Sequence, residues 1–448
     1  MNVAKNHKSN QTLAVRVLNI QTALLPIVIF GLLIAGYKGL NWTEVFSFRV
    51  DDGWCRTGIE GIGRHCFGDF GLAFNRGNFP DVYSAGNLAA ANSPLTALVF
   101  EFLRLFSYNI ALAIYLGSLI LSLFLSIYWA TFGYPMAVRL SASAVLGIGG
   151  IGALSAIDRG NHVAILIPLG LAYVISLERG KWNQAVFCLV LISMLKFWGI
   201  ILVIGLLSQR RYKDSLKAVF FSAFGTLALL AIFPGGFYEK ISAMTKSVTN
   251  QDYAAKVSGY ATSTHGLVKR ISCSFSTKDW CNTEAHARSF LSSSLASLVI
   301  MILLIMWCIW LFRFAKAPLE IWGTAILTLP LMAVPDAPTY NTAFVAAICA
   351  LLFWSSTRPN FSDDIFQSNG QWKKSGNTLI WVIAISQIPV TIFISYTGID
   401  GSGSIFSSGT SDVPPLFRLN YWTTPALWVL FLIVTIIEGS QVIRTSKQ

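Results

Sequence analysis

Leu216–Phe233 reads LKAVFFSAFGTLALLAIF, and Ala296–Phe312 reads ASLVIMILLIMWCIWLF. Neither run alternates apolar with polar residues, so neither reads as a strand with one wet face. Each approaches the ~20 mostly apolar residues that carry a helix across a bilayer. Similar runs recur along the chain, separated by short basic or Gly/Pro-rich breaks. Helices and closed barrels are the only structures that span lipid, and barrel strands are short and alternate. The chain therefore reads as an all-α polytopic membrane protein.

Working outward, composition agrees. Hydrophobic residues make up 54% and charged residues 12%, against about 25% charged in soluble domains. Mean hydropathy is +0.59. The net charge of +12 does not point to nucleic acid, because the Lys and Arg are spread over many loops rather than gathered on one face. Scattered loop positives are what membrane orientation produces. No cleavable signal is evident. Met1–Asn19 is polar, and the apolar stretch after it is long enough to span.

About twelve spans are predicted, several of them short or broken. They are Ile20–Leu40, Asn109–Thr131, Ala137–Ile157, Val163–Leu177, Ala185–Leu195, Trp198–Leu207, Leu216–Phe233, Leu291–Phe312, Ile321–Val334, Thr342–Trp354, Leu379–Ile394 and Trp422–Ile437. All belong to one integral membrane domain over residues 1–448. Lys5, Lys8 and Arg16 place the N-terminus inside. Arg139, Arg179, Lys181, Arg210, Arg211, Arg313, Lys373 and Arg444 then fall on inner connections, with the C-terminus inside too. Two long loops lie outside, 41–107 and 234–290. Pro94–Phe106, with Glu101 and Arg104, is too short and too charged to span and reads as a juxtamembrane or re-entrant helix. The basic residues of Pro234–Phe290 break the charge pattern, which long loops follow weakly. That loop can also be a small extramembrane element meeting an anionic acceptor.

Seven cysteines are present. Cys188, Cys308 and Cys349 sit in apolar runs and read as packing residues. Cys55 with Cys66 and Cys273 with Cys281 lie in polar loops, at spacings that allow two local disulfides in an oxidising compartment. Metal ligation is the competing reading, since His65 adjoins Cys66, but no CxxC or HxxxH spacing supports it.

The predicted outer face gathers unusual polar residues. The first loop brings Asp51, Asp52, His65, Asp69 and Asp81. Asp158-Arg159-Gly160-Asn161-His162 forms a helix junction, and Asp336, Pro338, Tyr340 and Asn341 form another. Lys196 interrupts an apolar run, too far from either inner loop to reach it. Ionisable groups inside lipid cost at least ~2.5–3.5 kcal/mol on insertion scales, so each needs a partner or a task. Bland readings exist for all. Asp51 and Asp52 can be solvated, Asp158 with Arg159 can anchor a helix end, and Lys196 can snorkel to headgroups. The sharper reading makes Lys196 and Arg159 a phosphate clamp. It makes Asp69, between apolar neighbours that would raise its pKa, a general base. Asp51 or Asp52 remains an alternative base.

Several short motifs share this side. In order they are Gly68-Asp69-Phe70, Phe79-Pro80-Asp81-Val82-Tyr83, Asn92-Ser93-Pro94-Leu95, Arg159-Gly160-Asn161-His162, Lys196-Phe197-Trp198 and Pro335–Asn341. Over roughly Ile20–Phe353 the chain resembles the polytopic GT-C fold glycosyltransferases that use polyprenyl-phosphate sugars. Within them it looks like the bacterial branch containing lipid-linked mannosyltransferases. It departs from that pattern at Ser93 (usually Pro), at Phe197 (usually Pro) and in lacking a His at the last junction. The resemblance implies a GT-C-like fold and an inverting transfer of a hexose or pentose from a polyprenyl-phosphate donor to a glycan or glycolipid acceptor. It implies Asp69 as base, Lys196 and Arg159 on the donor phosphate, and Asn161, His162, Tyr340, Asn341 and His65 around the substrates. No cofactor is implied; a divalent metal is compatible but not indicated. The implied home is a bacterial inner membrane with the active site extracytoplasmic, in contact with membrane lipids and not nucleic acid. That home outweighs the sequon Asn41-Trp42-Thr43. A transporter or flippase for lipid-linked saccharide is the competing class, since broken helices and intramembrane cations are transporter features too. An O-antigen-type polymerase is intermediate.

Overall fold

The computed structural model describes residues 13–37, 67–76, 82–84, 92–246, 264, 266–268, 294–334, 339–357, 371–388, 393–395 and 416–446. The helices are α1 (Leu13–Tyr37), α2 (Gly68–Arg76), α3 (Pro94–Leu103), α4 (Tyr108–Ala130), α5 (Met136–Ala142), α6 (Ile151–Arg159), α7 (Val163–Glu178) and α8 (Trp182–Leu195). After a 3-10 segment, Phe197–Val203, come α9 (Ile204–Ser208), α10 (Tyr212–Ile232), α11 (Ser294–Arg313) and α12 (Leu319–Met332). A second 3-10 turn, Thr339–Ala343, leads into α13 (Phe344–Ser356), followed by α14 (Lys373–Ser386) and α15 (Leu419–Thr445).

Among the described residues, each apolar run predicted to span is largely helical. By length and composition alone, three helices among the described residues are sufficient to cross a bilayer: Tyr108–Ala130, Tyr212–Ile232 and Thr423–Thr445. The other apolar helical stretches among the described residues are 10–17 residues long or, for Met136–Ile148 with Ile151–Ile157, a bent pair. The centre of the bundle is α12 and α13. All of α12, and Phe344 through Ser355 of α13, are buried. Helices apolar on every side belong in such a place. Around them, the outer flanks stay apolar. Leu121, Leu125, Phe220, Phe224, Leu303, Met306 and Ile433 are exposed, more apolar surface than a water-soluble monomer leaves open. This is the architecture of a polytopic helical membrane protein.

Three expectations need correction. The first helix starts at Leu13 rather than Ile20, because Leu13, Ala14, Val17 and Leu18 supply a buried face inside the polar leader. The run Ala137–Ile157 is not one rod. A π-helical turn at Ser143–Ile148 and the Gly149-Gly150 pair bend it by 68°, a usual cause of a sharp kink. The span predicted to reach Ile394 ends at Ser386. Beyond it, Phe393–Ser395 pairs antiparallel with Leu416–Arg418, so the fold is helical with one small two-stranded ladder rather than strictly all-α. Pro389 in the connecting stretch disfavours helix for the residue before it.

Polar contacts tie the bundle at defined heights. Gln21 of α1 donates to the carbonyl of Ala384 at 2.8 Å. Trp307 of α11 donates to Thr435 of α15 at 3.0 Å. Buried Glu438 of α15 accepts the backbone N–H groups of Lys374 and Ser375, each at 2.7 Å. Those donors open α14 and have no partner within their own helix, and a carboxylate there also meets the positive end of the helix dipole.

Candidate active site

Within Pro94–Phe106 the chain forms the short helix α3, whose start is set by local chemistry. Ser93 is its N-cap, accepting from the N–H of Thr96 at 3.3 Å, and Pro94 takes the first turn, where no N–H is needed. The departure from Pro at position 93 thus has a structural reason, since proline carries no hydroxyl to cap with. Glu101 and Arg104, odd for an apolar helix, hold α2. Arg104 pairs with Glu101 and donates to the carbonyls of Ala73 (2.6 Å) and Phe74 (2.8 Å). A cation at the last carbonyls of a helix is favourable. Phe70, fully buried, sits among the rings of Phe74, Phe100, Tyr108 and Tyr115, with centroids 5.2–5.6 Å away.

That anchoring presents Asp69 to the end of α6. Arg159 approaches its carboxylate in a fork, Nε to Oδ2 at 3.2 Å and one terminal nitrogen to Oδ1 at 3.1 Å. Asn161 donates to Oδ2 at 2.6 Å and accepts the N–H of Val163 at 3.1 Å. The same amide therefore opens α7 and holds Asp69. Gly160 makes this turn feasible. It is left-handed (φ 61°), and a Cβ there would stand 2.8 Å from Cβ of Phe70. The carboxylate and guanidinium are each about a quarter exposed, 27% and 25%.

Apolar sequence neighbours predicted a raised carboxyl pKa for Asp69, and the structure reverses this. Burial does push it up, but the charge of Arg159, hydrogen bonds from Arg159 and Asn161 and the charge of Lys196 together hold it below its ordinary value. Arg159, expected on a donor phosphate, is here committed to Asp69.

Lys196 lies at the break between α8 and the 3-10 segment, extended at φ −139° and ψ 117°. This is the conformation a following proline would impose; Lys196 reaches it with Phe197 after it instead. The break is pinned through the carbonyl of Leu195. Ser93 and Thr96 donate to it, each at 3.1 Å, and His162 Nε2 stands 3.2 Å away. His162 is buried, and burial followed by the nearby Lys196 charge lowers its pKa well below its ordinary value. A low pKa favours the neutral ring, and the Leu195 carbonyl calls for an N–H on Nε2. His162, expected around substrate, thus supports the Lys196 break. Ser93, Thr96 and Arg104 are positioning residues that sequence reasoning missed. The Ser-Pro helix start and a paired Glu-Arg in an apolar helix were their signals.

The other expected residues stand apart. Thr342 and Ala343 pack on Gly152, where a Cβ would lie 2.3 Å from their backbone. That places the second junction about 10 Å of helix from Arg159 along α6. Buried Asn341 donates to the carbonyl of Pro330 at 3.3 Å, and its Oδ1 has no partner among the described residues. Tyr340 lies on the same 3-10 turn. His65, Cys55, Cys66, Cys273, Cys281, Asp51, Asp52, Asp81 and Asp336 lie outside the described residues. Cys188, Cys308 and Cys349 are free and buried. Among the described residues, no three His, Cys, Asp or Glu side chains are grouped as metal ligands would be.

Residues 91–335 match the profile of glycosyltransferase family 87. The chain belongs to that family. It is a membrane glycosyltransferase, and membership supports the GT-C type. The family 87 match includes Arg159, Asn161, His162 and Lys196, begins after Asp69 and ends before Tyr340. No curated protein and no solved structure matches the chain.

Proposed function

We propose that this family 87 glycosyltransferase moves a hexose or pentose from a polyprenyl-phosphate donor to a glycan or glycolipid acceptor. The reaction takes place on the extracytoplasmic face of a bacterial inner membrane, with inversion at the anomeric carbon. Support comes from one arrangement above all: an ionised carboxylate, Asp69, forked by Arg159 within the field of Lys196. One base and a phosphate leaving group suffice for a direct displacement, whereas glycoside hydrolysis uses two carboxyls. The acceptor oxygen bonds to the anomeric carbon as the bond from that carbon to the phosphate oxygen breaks. The acceptor proton passes to Asp69. The leaving polyprenyl phosphate is stabilised by Lys196 and Arg159, as expected where charge develops.

The observed fork adds a coupling. Arg159 cannot hold Asp69 and a donor phosphate with the same nitrogens. As the donor takes the guanidinium, Asp69 loses the cation that depresses its pKa and becomes a stronger base. Donor binding thereby arms the base. Asn161 keeps the carboxylate in place meanwhile. Tyr340, Asn341 and His65 are assigned to orienting sugar or acceptor.

The test is reconstitution. Purified protein in liposomes is supplied with polyprenyl-phosphate sugars, one at a time, and an extracted lipid-glycan fraction. Release of polyprenyl phosphate together with a lengthened acceptor is expected. Transfer from nucleotide sugars alone, or passage of intact donor across the bilayer without release, overturns the reading.

A further inference from the structure

The α7–α8 turn carries Arg179, Gly180 and Lys181, and the α9–α10 turn carries Arg210 and Arg211. Between them lies a cavity of about 450 Å³, lined among others by Lys181, Trp182, Gln184, Arg211, Asp214 and Lys217. Asp214 is buried and pairs with both Arg211 (2.8 Å) and Lys217 (3.3 Å). One carboxylate thus faces three cations, and the cavity keeps a net positive charge. The Arg211 guanidinium lies over the Trp182 ring at 4.4 Å, which holds it at the cavity wall.

A second cavity, about 670 Å³, runs between α4 and α7 past Leu121, Leu125, Trp129, Leu171 and Ile175, and Arg179 and Gln184 also line it. Gln184 lines both cavities, so they adjoin. Ser118 and Ser126 keep the groove open by their small size. Their hydroxyls are spent on carbonyls of their own helix, at 2.6 and 2.5 Å, which leaves those two positions apolar in effect. The volume falls within the about 300–1,000 Å³ of ordinary ligand pockets. Leu121, Leu125 and Trp129 are exposed, so the groove opens sideways from the bundle. The charged cavity lies beyond the Glu178 end of α7, about 24 Å of helix from His162; the groove extends from Arg179 back along α7 to Pro168. Neither is lined by a residue of the Asp69 cluster.

We infer that the two cavities form one site for an anionic phospholipid, its phosphate among Lys181, Arg211 and Lys217 and one acyl chain in the α4–α7 groove. Membrane orientation accounts for basic turns, but not for an apolar groove opening beside them. Charge complementarity selects an anionic headgroup, and the groove selects a lipid over free phosphate.

Native mass spectrometry of the purified full chain, titrated with phosphatidylglycerol or phosphatidylcholine of the same acyl chains, tests this. The wild type retains one phosphatidylglycerol at lower concentration than phosphatidylcholine. Lys181→Gln with Lys217→Gln weakens phosphatidylglycerol retention about thirty-fold, the factor for two basic side chains near an anionic surface, and leaves phosphatidylcholine unchanged. Ala172→Leu, which fills the groove, weakens both. Soluble glycerol phosphate does not displace the lipid. Equal retention of the two lipids by the wild type, an unchanged preference in the double variant, or displacement by glycerol phosphate overturns the site.

Discussion

At the His162 end of α7, Asp69, Arg159, Asn161 and Lys196 meet in a half-buried cluster where one carboxylate takes a fork and an amide. At the Glu178 end, 16 residues along, Arg179 and Lys181 are exposed and outnumber the acids beside them. The same residue types do different work at the two ends because their surroundings differ. An exposed cation is screened and cheap to leave unpaired, so it can set orientation or meet a headgroup. A cation held among rings and helix ends has fewer alternatives, so its partner, a carboxylate or a phosphate, decides the local chemistry.

The contrast breaks first at Asp69. Asp69→Asn keeps the shape and removes the base, and transfer is expected to fall by about 10²–10⁴-fold, the usual worth of general-base catalysis. Transfer rates on membranes with matched protein levels check this; a rate near wild type removes Asp69 from the chemistry. Arg159→Gln comes next, with transfer expected to fall by about 10²–10³-fold, the cost of losing one stabilising donor. It also carries a sign in pH. Arg159 lowers the Asp69 pKa, so without it burial raises that pKa, and the acid limb of kcat/KM moves to higher pH. A limb that stays in place, or moves down, breaks the coupling between donor and base.

Smaller effects sharpen the architecture. Gly160→Ala puts a side chain into a left-handed turn and against Phe70. It should cost about 1–3 kcal/mol, read as a lower melting temperature in detergent. Asp69 itself contributes stability of the depressed-carboxyl kind, present above its unfolded pKa and lost as pH falls through the lower folded one. The Gly160→Ala deficit should therefore persist at neutral pH. Ser93→Ala is the mildest, about 1 kcal/mol for a lost cap, with transfer reduced only as far as Lys196 is displaced.

Much of the fold was readable because apolar length is a local property: among the described residues each predicted run is largely helical, with Phe393–Ile394 the part that turned out to be strand. The motif residues Asp69, Arg159, Asn161 and Lys196 were readable as outliers, since a lone polar group in an apolar run needs a partner. Their partnerships were not. Arg159 lies 90 positions from Asp69, and nothing near Asp69 in sequence announces the cation that reverses its pKa. Likewise Ser93 and Thr96 meet Leu195 about 100 positions on, a contact visible only once α3 packs on α8. The bend at Gly149-Gly150 was hidden because both of its arms are apolar.

The Leu195 carbonyl receives three suitors, Ser93, Thr96 and His162, and a carbonyl oxygen has two lone pairs to share among them. It is oversubscribed. Deleting one donor leaves the acceptor satisfied, so single changes there are forgiving, while removing Ser93 and Thr96 together should cost more than the sum of the two. Surplus donors also let the oxygen exchange one partner for another as it moves. The backbone bearing Lys196 can then advance toward an arriving phosphate and retreat from a departing one without ever stranding that carbonyl in an apolar interior.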